Sequence, residues 1–149
     1  MITVEVEKAP PYVALSYTWG SKSLSKAVHV NGCDIRITAN LADAIDAIFV
    51  FARERNLMFW ADSICINQSD VHERSRQVRL MNTIYRSAEI VAIWLGQASH
   101  DSDLAFDKMK EWKVKFDDLK QQWNGSEELA ALRMICRRPW WKRAWIVQE

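Results

Sequence analysis

Three short apolar runs constrain the fold most: "YVALSY" (12–17), "LMFWADSICI" (57–66) and "EIVAIWLG" (89–96), each separated from the next by an amphipathic helical stretch. Each run reads as a buried strand, and 57–66, too short and apolar for another exposed helix, as a central strand. Between the first two lies a Gly/Ser-rich loop, "TWGSKSLSK", and then "AVHVNGCDIRI". There Val28, Val30, Ile35 and Ile37 alternate with polar residues about Asn31-Gly32, which supply the two positive-φ positions of a type I′ turn. This predicts a small β-hairpin over 27–37. From Asn40 the period lengthens: Leu41, Ala44, Ile45, Ile48, Phe49 and Ala52 share one helical face, capped by Thr38 or Asn40. A second helix over about 71–88 carries Val78, Met81, Ile84, Tyr85 and Ala88 on one side, with Asp70 and Glu73 as a capping pair. The order β-α-β-α-β predicts an α/β three-layer fold, a central mostly parallel sheet covered on both faces. Such sheets gather ligands outside the carboxyl ends of their strands. Here that edge receives Ser16 to Gly20 and Asp62 to Gln68.

The last third departs from the alternation. Residues 101–123 place Met109, Trp112, Phe116, Leu119 and Trp123 at steps of three and four, Asn124-Gly125-Ser126 interrupts them, and "EELAALRMICRR" makes a shorter helix. The result is a helical insertion near 97–137, followed by Pro139 in the first turn of another helix, "PWWKRAWIVQE". Five of the eight tryptophans (Trp112, Trp123, Trp140, Trp141 and Trp145) fall here, a concentration that suits a large packed or docking surface. The formal charge of +1 gives no net pull toward nucleic acid or an anionic membrane. Cys33, Cys65 and Cys136 have neither C-x-x-C nor zinc-ligand spacing with His29, His72 or His100. They read as reduced, mostly buried thiols, with no metal site. Without a signal peptide or long apolar span, the expected compartment is cytoplasmic. The chain reads as one domain that stops abruptly after "RAWIVQE", as the N-terminal part of a longer protein would. With no P-loop and no G-x-G-x-x-G, ordinary kinase, ATPase and Rossmann dehydrogenase chemistry is set aside.

The segment "FWADSICINQSDVHER" (59–74) concentrates the polar chemistry. Asp62, at a strand end, reads either as a ligand-facing carboxylate or as a turn former. Asn67 and Gln68 read either as groups for an adenine or ribose edge or as partners for loop amides. Asp70 reads as a helix cap and Cys65 as a packed thiol in the strand. Arg74 and Arg76 sit at a helix start, where they oppose the dipole and a bound anion would offset the cost.

Three segments resemble the fungal heterokaryon incompatibility (HET) domain: "YVALSYTWG" (12–20), "WADSICINQSDVHERSRQVRLMNTIY" (60–85) with "VAIWLG" behind it, and "RPWWKRAWIVQE" (138–149). With "NLADAI" they span almost the whole chain, so that 1–149 is identified as a single HET domain. The resemblance implies an effector of self/non-self recognition that triggers programmed cell death, is active on self-association, and is joined in the full protein to sensor or repeat regions. The family is distantly similar to Toll/interleukin receptor (TIR) domains, which implies a flavodoxin-like sheet and NAD as a substrate, with no tightly bound cofactor. By the same resemblance Glu149 takes the catalytic position. Tyr17, Trp19, Gly20, Asp62, Asn67, Gln68, Arg74 and Trp145 take substrate-binding positions, and Arg74, Arg138, Lys142 or Arg143 is the candidate partner for the pyrophosphate. Nicotinamide is a cationic leaving group, so one carboxylate that stabilises the oxocarbenium-like state can suffice. The rival readings are a non-catalytic signalling module that works by homotypic association and, third, an α/β nucleotide-binding regulator without turnover.

Overall fold

A computed structural model of the chain describes residues 1–21, 23–112 and 127–143. It divides into two compact units, one of residues 1–94 with Arg143 and one within residues 95–142. The first holds strands β1 (Tyr12–Tyr17), β2 (Lys26–Val30), β3 (Cys33–Ile37), β4 (Met58–Trp60) and β5 (Ile90–Trp94). Its helices are α1 (Ala39–Glu54), the single turn α2 (Asp62–Cys65) and α3 (Val71–Ser87).

The main sheet has the order β4-β1-β5 and is parallel throughout. β1 is its centre, and all six of its residues are buried. Its side chains alternate between two cores. Leu15 and Tyr17 pack with Leu41 and Ala44 of α1 and with Ile37 of the hairpin, whereas Tyr12 and Ala14 pack with Met81, Ile84 and Tyr85 of α3. One helix therefore covers each face, as right-handed crossovers between parallel strands require. Two tyrosines fasten α3 to β1: Tyr12 donates its hydroxyl to the Ile84 carbonyl, and Tyr85 donates to the Leu15 carbonyl at 3.1 Å.

The local signals act as their chemistry dictates. β2 and β3 pair antiparallel across Asn31 (φ 50°) and Gly32 (φ 82°), the two left-handed positions of the I′ turn. Thr38, not Asn40, caps α1, its Oγ1 accepting from Leu41 N. Asp70 Oδ1 accepts from His72 N and Glu73 N and so caps α3, each such cap being worth about 1 kcal/mol.

Four expectations are corrected. The second strand ends at Trp60, and residues 62–65 form a helical turn because Ala61 O accepts from both Ile64 N and Cys65 N. Among the described residues that strand is also an edge strand, paired with β1 alone. Phe49 lies outside the buried face of α1 and is 56% exposed, the core stripe running through Leu41, Ala44 and Ala52. The thiols are free but not mostly buried, because Cys33 and Cys136 are exposed and only Cys65 is partly covered.

In the second unit α4 (His100–Trp112) and α5 (Glu127–Cys136) pack through Ala105, Ala131 and Ile135, with Leu95, Leu104 and Leu132 around them. Met109 is exposed, so the packed stripe of α4 runs through Ser102 and Ala105 instead. Phe116, Leu119 and Trp123 lie outside the described residues. Pro139–Lys142 form a 3-10 turn, in which Trp140 is buried and meets Trp141 edge to face at 4.9 Å. Arg138 is committed within this unit: its guanidinium donates to the carbonyls of Leu95 (3.0 Å) and Gln97 (3.1 Å) and to Ser99 Oγ (3.1 Å). Among the described residues no helix is long and apolar enough to cross a membrane.

Candidate functional site

The registers Tyr17↔Trp94 and Ala14↔Trp60 bring the carboxyl ends of β1, β4 and β5 to one edge of the sheet. Because β4 gives way to α2 immediately after Trp60, Asp62 and Ser63 turn toward the end of β1 instead of continuing past it. The Tyr17 hydroxyl, on a side chain only 1% exposed, donates to Ser63 Oγ at 2.6 Å. One step further along, the Trp19 indole N–H donates to Asp62, 3.0 Å from Oδ2 and 3.2 Å from Oδ1. Arg143 enters the same region, its Nη1 donating to Ser16 Oγ at 3.0 Å.

Burial pushes the Asp62 carboxyl above its ordinary 3.8. The Trp19 indole, the Ser63 amide, the Tyr17 hydroxyl and the charge of Arg143 all pull the other way without cancelling it. Tyr17 is raised as well, by burial first and by the charge of Asp62 second, so its phenol stays protonated and serves as a donor. The resulting carboxyl gives up its proton closer to neutrality than an exposed aspartate and has aromatic and hydroxyl donors around it. Such a group can exchange a proton, or, when ionised, bind hydroxyls and steady a developing positive charge.

The residues singled out in the sequence fall into three groups. Tyr17, Trp19 and Asp62 converge. Gly20 supports them: its φ of +70° is left-handed, and a Cβ there would lie 3.4 Å from Asn40 Cβ. Gln68, Asn67 and Arg74 are engaged in the segment itself. Gln68 Nε2 donates to the Asp62 carbonyl at 2.8 Å, Asn67 Oδ1 accepts from Ser69 N, and Arg74 Nη1 donates to the Gln68 carbonyl at 3.2 Å. Glu73 completes the set by accepting from Asn67 N rather than from the cap residue. Trp145 and Glu149 lie outside the described residues.

Asn40 is the participant that sequence reasoning missed. It is the second residue of α1, donates from Nδ2 to the Thr18 carbonyl at 2.6 Å and accepts from Trp94 Nε1 at 3.0 Å. One side chain thereby ties the end of β5 to the loop after β1. The only local signal was a residue type that also suits a helix cap. Ser63 and Ser16 were placed on this edge by the strand order but not singled out. Among the described residues, no three His, Cys, Asp or Glu side chains converge as a metal site requires.

The family described as "Heterokaryon incompatibility protein (HET)" matches residues 12–149. Over 127 residues the chain is 39% identical to "Heterokaryon incompatibility protein 6, OR allele" of Neurospora crassa, covering 78% of this chain and 19% of that protein. Over 152 residues it is 29% identical to "Vegetative incompatibility protein HET-E-1" of Podospora anserina, covering 95% of this chain and 9% of that protein. The chain thus spans a small part of the length of these relatives. No solved structure matches it. The family match runs from the first residue of β1 through the segment that bears Asp62 to the end of the sequence, and the chain belongs to the heterokaryon incompatibility (HET) family.

Proposed function

We propose that this chain is a TIR-like effector domain of fungal heterokaryon incompatibility that hydrolyses NAD at the nicotinamide–ribose bond when copies associate, leading to cell death. The carrying observation is the Asp62 carboxyl, held at the carboxyl edge of a parallel sheet by Trp19 and flanked by Tyr17 and Ser63. The strand order second-first-third, with one helix layer on each face, is the order in which flavodoxin-like sheets begin, and ligands sit at their strand ends. The names of both fungal relatives refer to incompatibility, which supports that biological role.

In this reading Glu149 is the catalytic carboxylate that hydrogen-bonds the ribose and stabilises the oxocarbenium-like state. Asp62 is the second carboxyl of the site, Trp19 offers a ring face to the base, and Arg143 draws the pyrophosphate. The remainder of the full protein supplies sensor or repeat regions, and the compartment is the cytoplasm. Purified protein incubated with NAD at low and high concentration should release nicotinamide, more per chain at high concentration, and Glu149→Gln should abolish release with the fold intact. Absence of release in every assembled state would remove the enzyme.

One observation favours the second reading, a non-catalytic association module. Asn67, Gln68 and Arg74 are already bonded within their own segment, and Trp19 occupies the Asp62 carboxylate. Cell death that persists in Glu149→Ala would select that reading.

A further inference from the structure

The N-terminal residues form a strap beside β4, the edge strand. At one end Met1 is tied to the β2–β3 turn: its amino group donates to Asn31 Oδ1, and Asn31 Nδ2 donates to its carbonyl at 2.7 Å. At the other end Val6 and Ala9 pack against the buried cluster that contains Tyr12, Ile84 and Tyr85. Between the two anchors the strap, β4, α3 and Cys65 of α2 line a cavity of about 280 Å³ that is open to solvent on one side. Clefts lined mainly by apolar side chains with a few polar groups are the ordinary form of a small-molecule site.

The lining says what such a guest would be. Ile2, Val4, Met58, Phe59, Trp60 and Leu80 supply apolar wall, and Gln77 supplies an amide that can both donate and accept. Among the described residues no lysine, arginine or histidine side chain lines the cavity; the Met1 amino group is turned onto Asn31 Oδ1, and the acidic lining residue Glu5 is paired with Lys8 at 2.5 Å. The two charged groups of the lining, the Met1 amino group and the Glu5 carboxylate, are thus already engaged by Asn31 and Lys8, which favours a neutral occupant over an ionic one. We infer that this cavity is a binding site for a neutral, mainly apolar small molecule with one hydrogen-bonding group, distinct from the strand-end cluster. Cys65 lines it, while Asp62 and Ser63 of the same four-residue turn face Trp19 and Tyr17, so an occupant sits one helical turn from the candidate site. The inference stands whether or not the chain hydrolyses NAD.

The test uses the neutral fluorophore N-phenyl-1-naphthylamine and the full chain. Its fluorescence should rise to saturation at one equivalent, and Leu80→Trp, which fills the cavity from α3, should weaken binding about tenfold or more. Gln77→Trp should do the same and carries the test if Leu80→Trp fails to fold by circular dichroism. In protein whose only thiol is Cys65 (Cys33→Ser with Cys136→Ser), saturating probe should slow N-ethylmaleimide labelling several-fold. The inference is overturned by absence of saturable binding, by binding that neither tryptophan variant weakens, or by labelling of Cys65 that the probe leaves unchanged. Dimerisation on gel filtration that Leu80→Trp abolishes would also overturn it, by making the cavity a contact between chains.

Discussion

Two segments leave the same edge of the sheet and are held in opposite ways. The segment after β4, from Ala61 to Asp70, is bonded to itself. Gln68 holds the Asp62 carbonyl, Asn67 holds Ser69 N, Glu73 holds Asn67 N and Arg74 holds the Gln68 carbonyl. The segment after β1, from Thr18 to Gly20, is anchored from outside through Asn40 to its backbone and Asp62 to its indole. Local bonding makes the first a fixed platform that presents Asp62 and Ser63. Two long-range tethers make the second a part whose position depends on two side chains. Trp19 can therefore leave Asp62 without disturbing the platform, which is what admission of a ligand to that carboxyl requires.

This contrast can be broken at chosen points. Asn40→Ala should have the largest effect, since it removes two part-buried hydrogen bonds and leaves Trp94 Nε1 without its acceptor; a loss of about 2 kcal/mol is expected in urea melts. Amide exchange should quicken at Thr18 to Gly20 and stay unchanged at 61–70, and quickening in both would deny that they are held separately. Asp70→Ala should cost about 1 kcal/mol through the lost cap, with exchange rising at His72 and Glu73 while the Trp19 loop keeps its protection. Gln68→Ala, which removes a single part-buried bond, should cost about 0.5–1 kcal/mol.

The smallest effect is a pH dependence. Asp62 binds its proton more tightly in the folded chain than at its ordinary 3.8. Its contribution to stability is therefore complete below that value and is lost as pH rises through the raised folded value. Asp62→Asn keeps an acceptor for Trp19 but cannot ionise, so relative to the parent it should gain stability from acid to neutral pH, by less than about 1 kcal/mol. A constant difference between the two proteins across a pH series would show that burial does not govern this carboxyl.

Most of the framework was legible because its signals are local. The Asn31-Gly32 turn, the Asp70 cap, the apolar faces of α1 and α3 and the alternation of strands with helices each depend on residues within a few positions of one another. The early end of β4 was not legible. "LMFWADSICI" reads as one short apolar run, but Ala61 O takes two amides into a helical turn, Ile64 packs against the α1-side core, and Ile66 is buried just beyond the turn. Asn40 was misread for a related reason: its partners Thr18 and Trp94 lie 22 and 54 residues away, and nothing beside it in sequence announces them. Arg143 meets Ser16 across 127 residues, a pairing that only the fold can reveal. In the candidate site, the placement of Asp62 beside the end of β1 was readable from the topology. The bonds that hold it there were not.

The most direct measurement is nicotinamide release from NAD by the assembled protein, compared among the parent chain, Glu149→Gln and Asp62→Asn at matched folded concentration. The account predicts release by the parent, a fall of about 100-fold or more in Glu149→Gln, and a fall of about tenfold in Asp62→Asn, whose amide keeps the Trp19 bond but loses the charge. No release by the parent in any assembled state, or equal release by all three proteins, would contradict it.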